Sequence, residues 1–155
     1  MKILLVSDTH GRNDVLEQLY KCYPTLDLYL HAGDSEAYGS YALGPFVTVR
    51  GNCDYDYNLP NLYQVDTPSG KLVMKHVPYL HENEKKDTRI FIHGHTHKNE
   101  VKVVDNILYI CPGSLSYSRN GPESYMIIDI ITNKILINLR DLETHKTIYQ
   151  KEIAM

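Results

Sequence analysis

At 155 residues, with 16 Lys and Arg against 19 Asp and Glu, the chain has the size of one domain spanning residues 1–155. Its formal charge of -3 excludes the basic footprint of a protein that lives on duplex nucleic acid. Hydrophobic residues make up 43% and charged ones 23%, which is enough apolar material for a sizeable core and carries no signature of disorder.

Residues 2–6 read as a buried strand that empties into the polar segment Ser7-Asp8-Thr9-His10-Gly11, a common place for chemistry in α/β sheets. Asn13 or Asp14 caps a helix whose apolar positions Val15, Leu16, Leu19 and Tyr23 recur at helical spacing until Pro24 stops it. Residues 26–31 form a second strand ending at Ala32-Gly33-Asp34, and residues 46–50 a third ending at Gly51-Asn52-Cys53-Asp54. Past Pro60 come short β-type runs at 62–65, 72–76, 89–93, 101–104 and 107–111. Runs at 124–131 and 134–139 follow, joined by a hairpin at Thr132-Asn133. This second half reads as mostly antiparallel sheet, and the mixed-charge residues 82–87 as a solvated loop. The expected fold is α/β: βαβ units and then strands, packed as a two-sheet β-sandwich flanked by helices.

Cys22, Cys53 and Cys111 are odd in number and far apart, which gives no disulfide framework and fits a reducing cytoplasm. The N-terminal apolar run of four residues is too short for a secretory signal or a membrane span.

Five polar clusters follow predicted strands: Asp8-Thr9-His10, Gly33-Asp34, Gly51-Asn52, His76, and His93-Gly94-His95-Thr96-His97. Singly, each has an ordinary use. Asp8 or Asp34 caps a helix or turn, Asn52 suits a turn, and His76 or His93 fits as a satisfied buried imidazole. Together in one small domain they form a nitrogen and oxygen donor set for first-row divalent ions. That set admits manganese, iron, nickel, cobalt or zinc, of which we expect manganese.

These motifs, with Cys111-Pro112-Gly113-Ser114, resemble those of the calcineurin-like metallophosphoesterases, in particular the small YfcE-type phosphodiesterases, from Met1 to about Asp129. The resemblance implies a four-layer αββα sandwich. It also implies that Asp8, His10 and His97 hold one metal, that Asp34 bridges to a second, and that Asn52, His76 and His95 complete the second site. Asp34 and Asn52 then count as catalytic, two ions clamp a phosphoryl group, and a metal-bridging hydroxide attacks a small phosphate ester in line. Arg12 is either a substrate clamp or a solvated residue at the helix start.

Two departures stand out. Cys53 occupies the place where larger family members put a His that protonates the leaving oxygen. The chain also reads His76-Val77-Pro78 where the subfamily reads His-Gly-His, which predicts a loop that delivers His76 less closely. The alternatives to an enzyme of this kind are a scaffold that keeps the fold without turnover, as in the related retromer component, and a nuclease or dinucleotide hydrolase. No membrane partner is expected. The strand-rich C-terminal third offers edges that a homo-oligomer would cover.

Overall fold

The computed structural model describes residues 1–155. Its first unit is β1 (Lys2–Val6), α1 (Asp14–Cys22) and β2 (Leu28–His31), a parallel βαβ unit. A short β3 (Val47–Thr48) adds parallel to β2. β1 is buried on both faces, which is why it reads as an unbroken Ile-Leu-Leu-Val run. Ile3 and Leu5 enter the core between the sheets, while Leu4 and Val6 pack under α1 with Val15, Leu16 and Leu19. Asn13 occupies the N-cap position of α1, as expected, and the helix ends ahead of Pro24.

The rest of the chain contributes β4 (Tyr63–Thr67), β5 (Gly70–Met74), α2 (Glu82–Lys85), β6 (Thr88–Ile92), β7 (Asn99–Val104) and β8 (Ile107–Pro112), then β9 (Ser124–Ile131), β10 (Lys134–Asp141) and β11 (Thr147–Ala154). Two sheets result, with strand orders β11-β10-β9-β1-β2-β3 and β4-β5-β6-β8-β7. Side chains from both, among them Leu30, Met74, Ile92, Ile110, Met126 and Ile137, interlock in the shared core. The hairpin at Thr132-Asn133 is present, with Asn133 in the left-handed conformation its turn requires.

Most pairings in the second half are antiparallel, as expected, but β5, β6 and β8 run parallel to one another at the centre of their sheet. Short apolar runs carry no direction, and buried strands look alike in either sense. The C-terminal residues 147–154 form an additional edge strand whose largely exposed side chains give no apolar alternation. Residues 82–87 include a helical turn, α2, instead of being loop throughout. Glu84 accepts from the backbone N–H of His81 at 2.8 Å and from Lys75 Nζ at 3.0 Å, so local charge pairing replaces apolar period as the organising force.

The helical layers are correspondingly thin: α1 has nine residues and α2 four. Burial alone would raise the Glu84 carboxyl, but the His81 N–H and Lys75 hold it below the ordinary value of 4.5. A depressed folded-state pKa stabilises the fold above the unfolded value, and that contribution is lost as pH falls through the folded one. Glu84→Gln should therefore lower Tm at pH 7, and the gap from wild type should close as the buffer is taken well below pH 4.5.

Candidate metal centre

Five of the six strands that run parallel within their own sheets deliver a candidate ligand at their carboxyl ends, all on one rim of the sandwich. β1 supplies Asp8 and His10, β2 Asp34, β3 Asn52, β5 His76, and β6 His95 and His97. The chain turns sharply to aim these groups. Asp8, His10, Asp34, His95 and His97, with their neighbour Glu36, adopt positive φ between 44° and 67°. Left-handed backbone at non-glycine residues costs of order 1–3 kcal/mol each and persists only where the surroundings enforce it. Backbone bonds from Asp8 to Gly33, His10 to Asp34 and Gly11 to Ser35 fasten the first two loops together. Ser114 and Ser116 both donate to the Asp8 carbonyl, at 2.8 and 2.9 Å.

At the centre, imidazole nitrogens crowd carboxylate oxygens. His10 Nδ1 meets the Glu36 carboxylate at 2.6 Å and His97 Nδ1 meets the Tyr117 carbonyl at 2.8 Å, so each of these nitrogens donates outward and each Nε2 faces the cluster. Those two Nε2 atoms lie 3.2 Å apart, and His97 Nε2 is 3.2 Å from Asp8 Oδ1. His76 repeats the arrangement. Its Nδ1 donates to the Ala32 carbonyl at 2.8 Å, and its Nε2 lies 3.2 Å from Asp34 Oδ2 and 3.0 Å from Asn52 Oδ1. His95 Nδ1 reaches the same Asn52 oxygen at 2.9 Å.

Ligand atoms of Asp8, His10 and His97 lie within 4.8 Å of one another, as do those of Asp8, Asp34 and His76. Asp8 is fully buried, and its Oδ1 has no hydrogen-bond partner. A buried acceptor without a donor is costly. Desolvation accordingly pushes the Asp8 carboxyl up, further than the Ser7 hydroxyl and the neighbouring imidazoles pull it down. A cation seated among these acceptors supplies the missing charge, so the donor set fits divalent metal.

The family model for the calcineurin-like phosphoesterase superfamily domain matches residues 1–133. The chain belongs to this superfamily. As a phosphoesterase-superfamily chain it is 28% identical over 155 residues to a probable metallophosphoesterase, YsnB, of Bacillus subtilis, with 91% of each chain covered. Among solved structures it is similar to a predicted phosphoesterase of Streptococcus pneumoniae, with TM-score 0.86, 23% identity and coverage of 99% of this chain and 97% of the other. It is also similar to the phosphoesterase YfcE of E. coli, with TM-score 0.78, 21% identity and coverage of 97% and 98%. The same fold recurs in Vps29 of Entamoeba histolytica, with TM-score 0.74, 21% identity and coverage of 100% and 99%.

Against the expectation for a displaced loop, the chain delivers His76 closely. The Gly94 N–H bonds to the His76 carbonyl at 2.9 Å, while Val77 turns out to solvent. Room for the imidazole comes from Gly33, where φ is +98° and any Cβ would overlap the His76 ring. Asp34 is held as a carboxylate. Burial opposes ionisation, but the bonds from His76 and from the Cys53 N–H bring its pKa down to about 2. Burial and the Asp34 charge push the Cys53 thiol up to about 11. Arg12 sits at the rim, half exposed, with its guanidinium 3.9 Å from Glu123.

Several supporting residues were not assigned a role from sequence. Asp54 accepts from the backbone N–H groups of Asp34, Glu36 and Gly51 and from the Ser35 hydroxyl, all at 2.7–2.9 Å. Buried His31 is neutral, its pKa brought down to about 4 by desolvation. It accepts from the Gly33 N–H at 3.1 Å and donates through Nε2 to the Thr9 hydroxyl at 2.9 Å. Thr9 donates onward to Asn13, which binds the Ser35 carbonyl at 2.9 Å. The position of Asp54, three residues after Gly51 in a polar cluster, was the sequence signal for its turn. No helix is long and apolar enough to cross a membrane.

Proposed function

We propose that this chain is a metal-dependent phosphoesterase, in the first place a phosphodiesterase, that hydrolyses a small phosphate ester in the cytoplasm. Asp8, His10 and His97 would hold one divalent ion, Asn52, His76 and His95 would hold a second, and Asp34 would serve both. The observation that carries this reading is the convergence of imidazole Nε2 atoms and carboxylate oxygens on one point, where the buried Asp8 Oδ1 has no hydrogen-bond donor. When bound, two such ions, manganese by our expectation, make a water acidic enough to ionise near neutral pH and offset charge on phosphoryl oxygens.

The protein's own contribution is preorganisation. Glu36, Tyr117 and Ala32 hold three imidazoles by Nδ1, which turns each Nε2 toward the cluster. Asp34 is held as a carboxylate, its pKa brought down to about 2. Arg12 at the mouth offers a planar pair of donors to a nonbridging oxygen. The likeness to Vps29 lends the scaffold alternative a shared fold and no more. All seven candidate ligands are present and converge here, which favours turnover.

Two outcomes are expected. EDTA treatment should remove bis-p-nitrophenyl phosphate hydrolysis, and Mn(II) should restore it while raising Tm, since an ion that binds only the folded state stabilises it. Restored activity without a rise in Tm would argue that the ion is not held by this cluster. A thiol with pKa near 11 is also a weak acid toward a leaving alkoxide. Nitrophenyl esters should therefore turn over at least about a hundredfold faster than alkyl esters of the same phosphate, the low end of what a positioned acid contributes. Equal rates would mean that another group protonates the leaving oxygen.

A further inference from the structure

Cys53 stands inside the metal centre without a place in either ligand set. A ring nitrogen of His10, a carboxylate oxygen of Asp34 and the Cys53 sulfur all lie within 4.8 Å of one another. Two bonds of about 2.0–2.3 Å to one zinc-sized ion span nearly this separation. Each of the three donors is held in place. Glu36 grips His10 by Nδ1 at 2.6 Å, and His10 Nε2 lies 3.8 Å from Asp34 Oδ2. The Cys53 N–H donates to Asp34 Oδ1 at 2.8 Å, so the residue that carries the sulfur is tied by its own backbone to the carboxylate. Asn52 Nδ2 lies 3.4 Å from the sulfur while its Oδ1 faces His76 and His95, so one amide spans from the thiol to the other imidazole pair. Neither of the other thiols has such company. Cys22 is exposed at the end of α1, and the buried Cys111 sulfur meets the Thr96 hydroxyl and the Gly94 carbonyl.

Resting on the metal-centre reading above, we propose that Cys53, with His10 and Asp34, forms a third ligand set that takes a thiophilic divalent ion of the zinc class and so controls which metal occupies the site. Manganese prefers oxygen and nitrogen donors and leaves the sulfur unused, whereas zinc and cadmium bind thiolate. Three protein ligands leave one position of a tetrahedral ion open to water. Binding releases the thiol proton to solvent. His10 belongs to one of the two manganese positions and Asp34 serves both. An ion seated on Cys53 therefore draws ligands away from the manganese pair, and the two kinds of ion compete.

The test uses cadmium, whose thiolate complex absorbs in the ultraviolet by charge transfer from sulfur, a signal that manganese does not give and that needs no turnover. It is run on full-length, metal-free protein carrying Cys22→Ser, so that the exposed thiol does not contribute. Titration with cadmium chloride should raise a band equivalent to one thiolate per chain, and excess zinc should remove it. Excess manganese should suppress it as well, since both ions need His10 and Asp34. Adding Cys53→Ser should abolish the band and leave manganese affinity unchanged. Cadmium affinity by calorimetry should fall by at least about a hundredfold, beyond the 10- to 100-fold that partners outside the coordination sphere are worth. No band with Cys53 present, a band that survives Cys53→Ser, or a band indifferent to manganese would overturn the proposal. If Cys53→Ser fails to fold by circular dichroism, the manganese competition decides alone. Manganese-dependent hydrolysis of bis-p-nitrophenyl phosphate on the same preparations separates this proposal from the reading beneath it. Turnover without the band removes the Cys53 site alone. The band without turnover removes the hydrolase and keeps the site, and binding of neither metal removes both.

Discussion

Asp34→Asn should reduce metal-dependent hydrolysis of bis-p-nitrophenyl phosphate by at least about a thousandfold, because it removes a carboxylate that faces both halves of the cluster. Its Oδ2 lies 3.2 Å from His76 Nε2 and 3.8 Å from His10 Nε2. The substitution is nearly isosteric, and Asn keeps an oxygen to accept the Cys53 N–H that now bonds to Oδ1 at 2.8 Å. What it takes away is the charge of a carboxylate already ionised above about pH 2. It also places an amide N–H or a weak carbonyl donor where the proposed pair of cations would need a carboxylate. Loss of Lewis-acid stabilisation worth several kcal/mol corresponds to this factor. Metal stoichiometry on equilibrium dialysis should fall below two per chain, with the fold intact by circular dichroism. Full activity in this variant would show that Asp34 is not the bridging ligand and that the chemistry, if present, belongs to Asp8, His10 and His97 alone.

The candidate ligands were legible because the sequence repeats one grammatical unit, an apolar strand followed by a polar break, and parallel strands in a sandwich bring such breaks to one rim. β1 is the clearest case, since burial on both faces makes Ile3-Leu4-Leu5-Val6 continuous and gives Ser7-Asp8 an abrupt edge. What was not legible is whatever tertiary packing decides. The parallel order of β5, β6 and β8 leaves no local trace, and β11 is an edge strand whose exposed face carries Thr147, Gln150 and Glu152 where an alternating apolar pattern would have marked it. The delivery of His76 was misjudged from Val77-Pro78 because the permissive residue is elsewhere in sequence: Gly33, forty-three positions earlier, opens the space that the imidazole fills. Glu36 could not be read as the partner of His10, because an acid after a loop carries no sign of which imidazole it will meet.

Asp54 carries the last prediction, because it binds no candidate ligand side chain and yet holds the two loops on which Asp34 and Asn52 depend. Its Oδ2 accepts from the N–H groups of Asp34 at 2.9 Å and Gly51 at 2.7 Å, and its Oδ1 accepts from the Ser35 hydroxyl at 2.9 Å and the Glu36 N–H at 2.8 Å. Four donors converge on one carboxylate, in a segment where Asp34 and Glu36 hold positive φ against an intrinsic penalty. Gly51 approaches Asp34 so closely that a Cβ there would overlap its carboxylate, so the clasp tolerates no slack. Asp54→Ala strands these donors. Hydrogen bonds to a charged acceptor are worth about 1.5–3 kcal/mol each, and water replaces part of that at a half-buried site, so a net loss of about 2–4 kcal/mol is expected. For a chain of this size that lowers Tm by roughly 10 °C. Activity should fall about 10- to 100-fold, the range for residues that orient metal ligands. The loss should show first as weaker metal affinity, so that raising Mn(II) recovers part of the rate. Asp56→Ala is the matched control, since Asp56 is half-buried like Asp54 but its carboxylate accepts only from the Asn58 N–H. If Asp54→Ala behaved like that control, the positive-φ backbone at Asp34 and Glu36 would have to be enforced by the strands beneath it and not by this clasp.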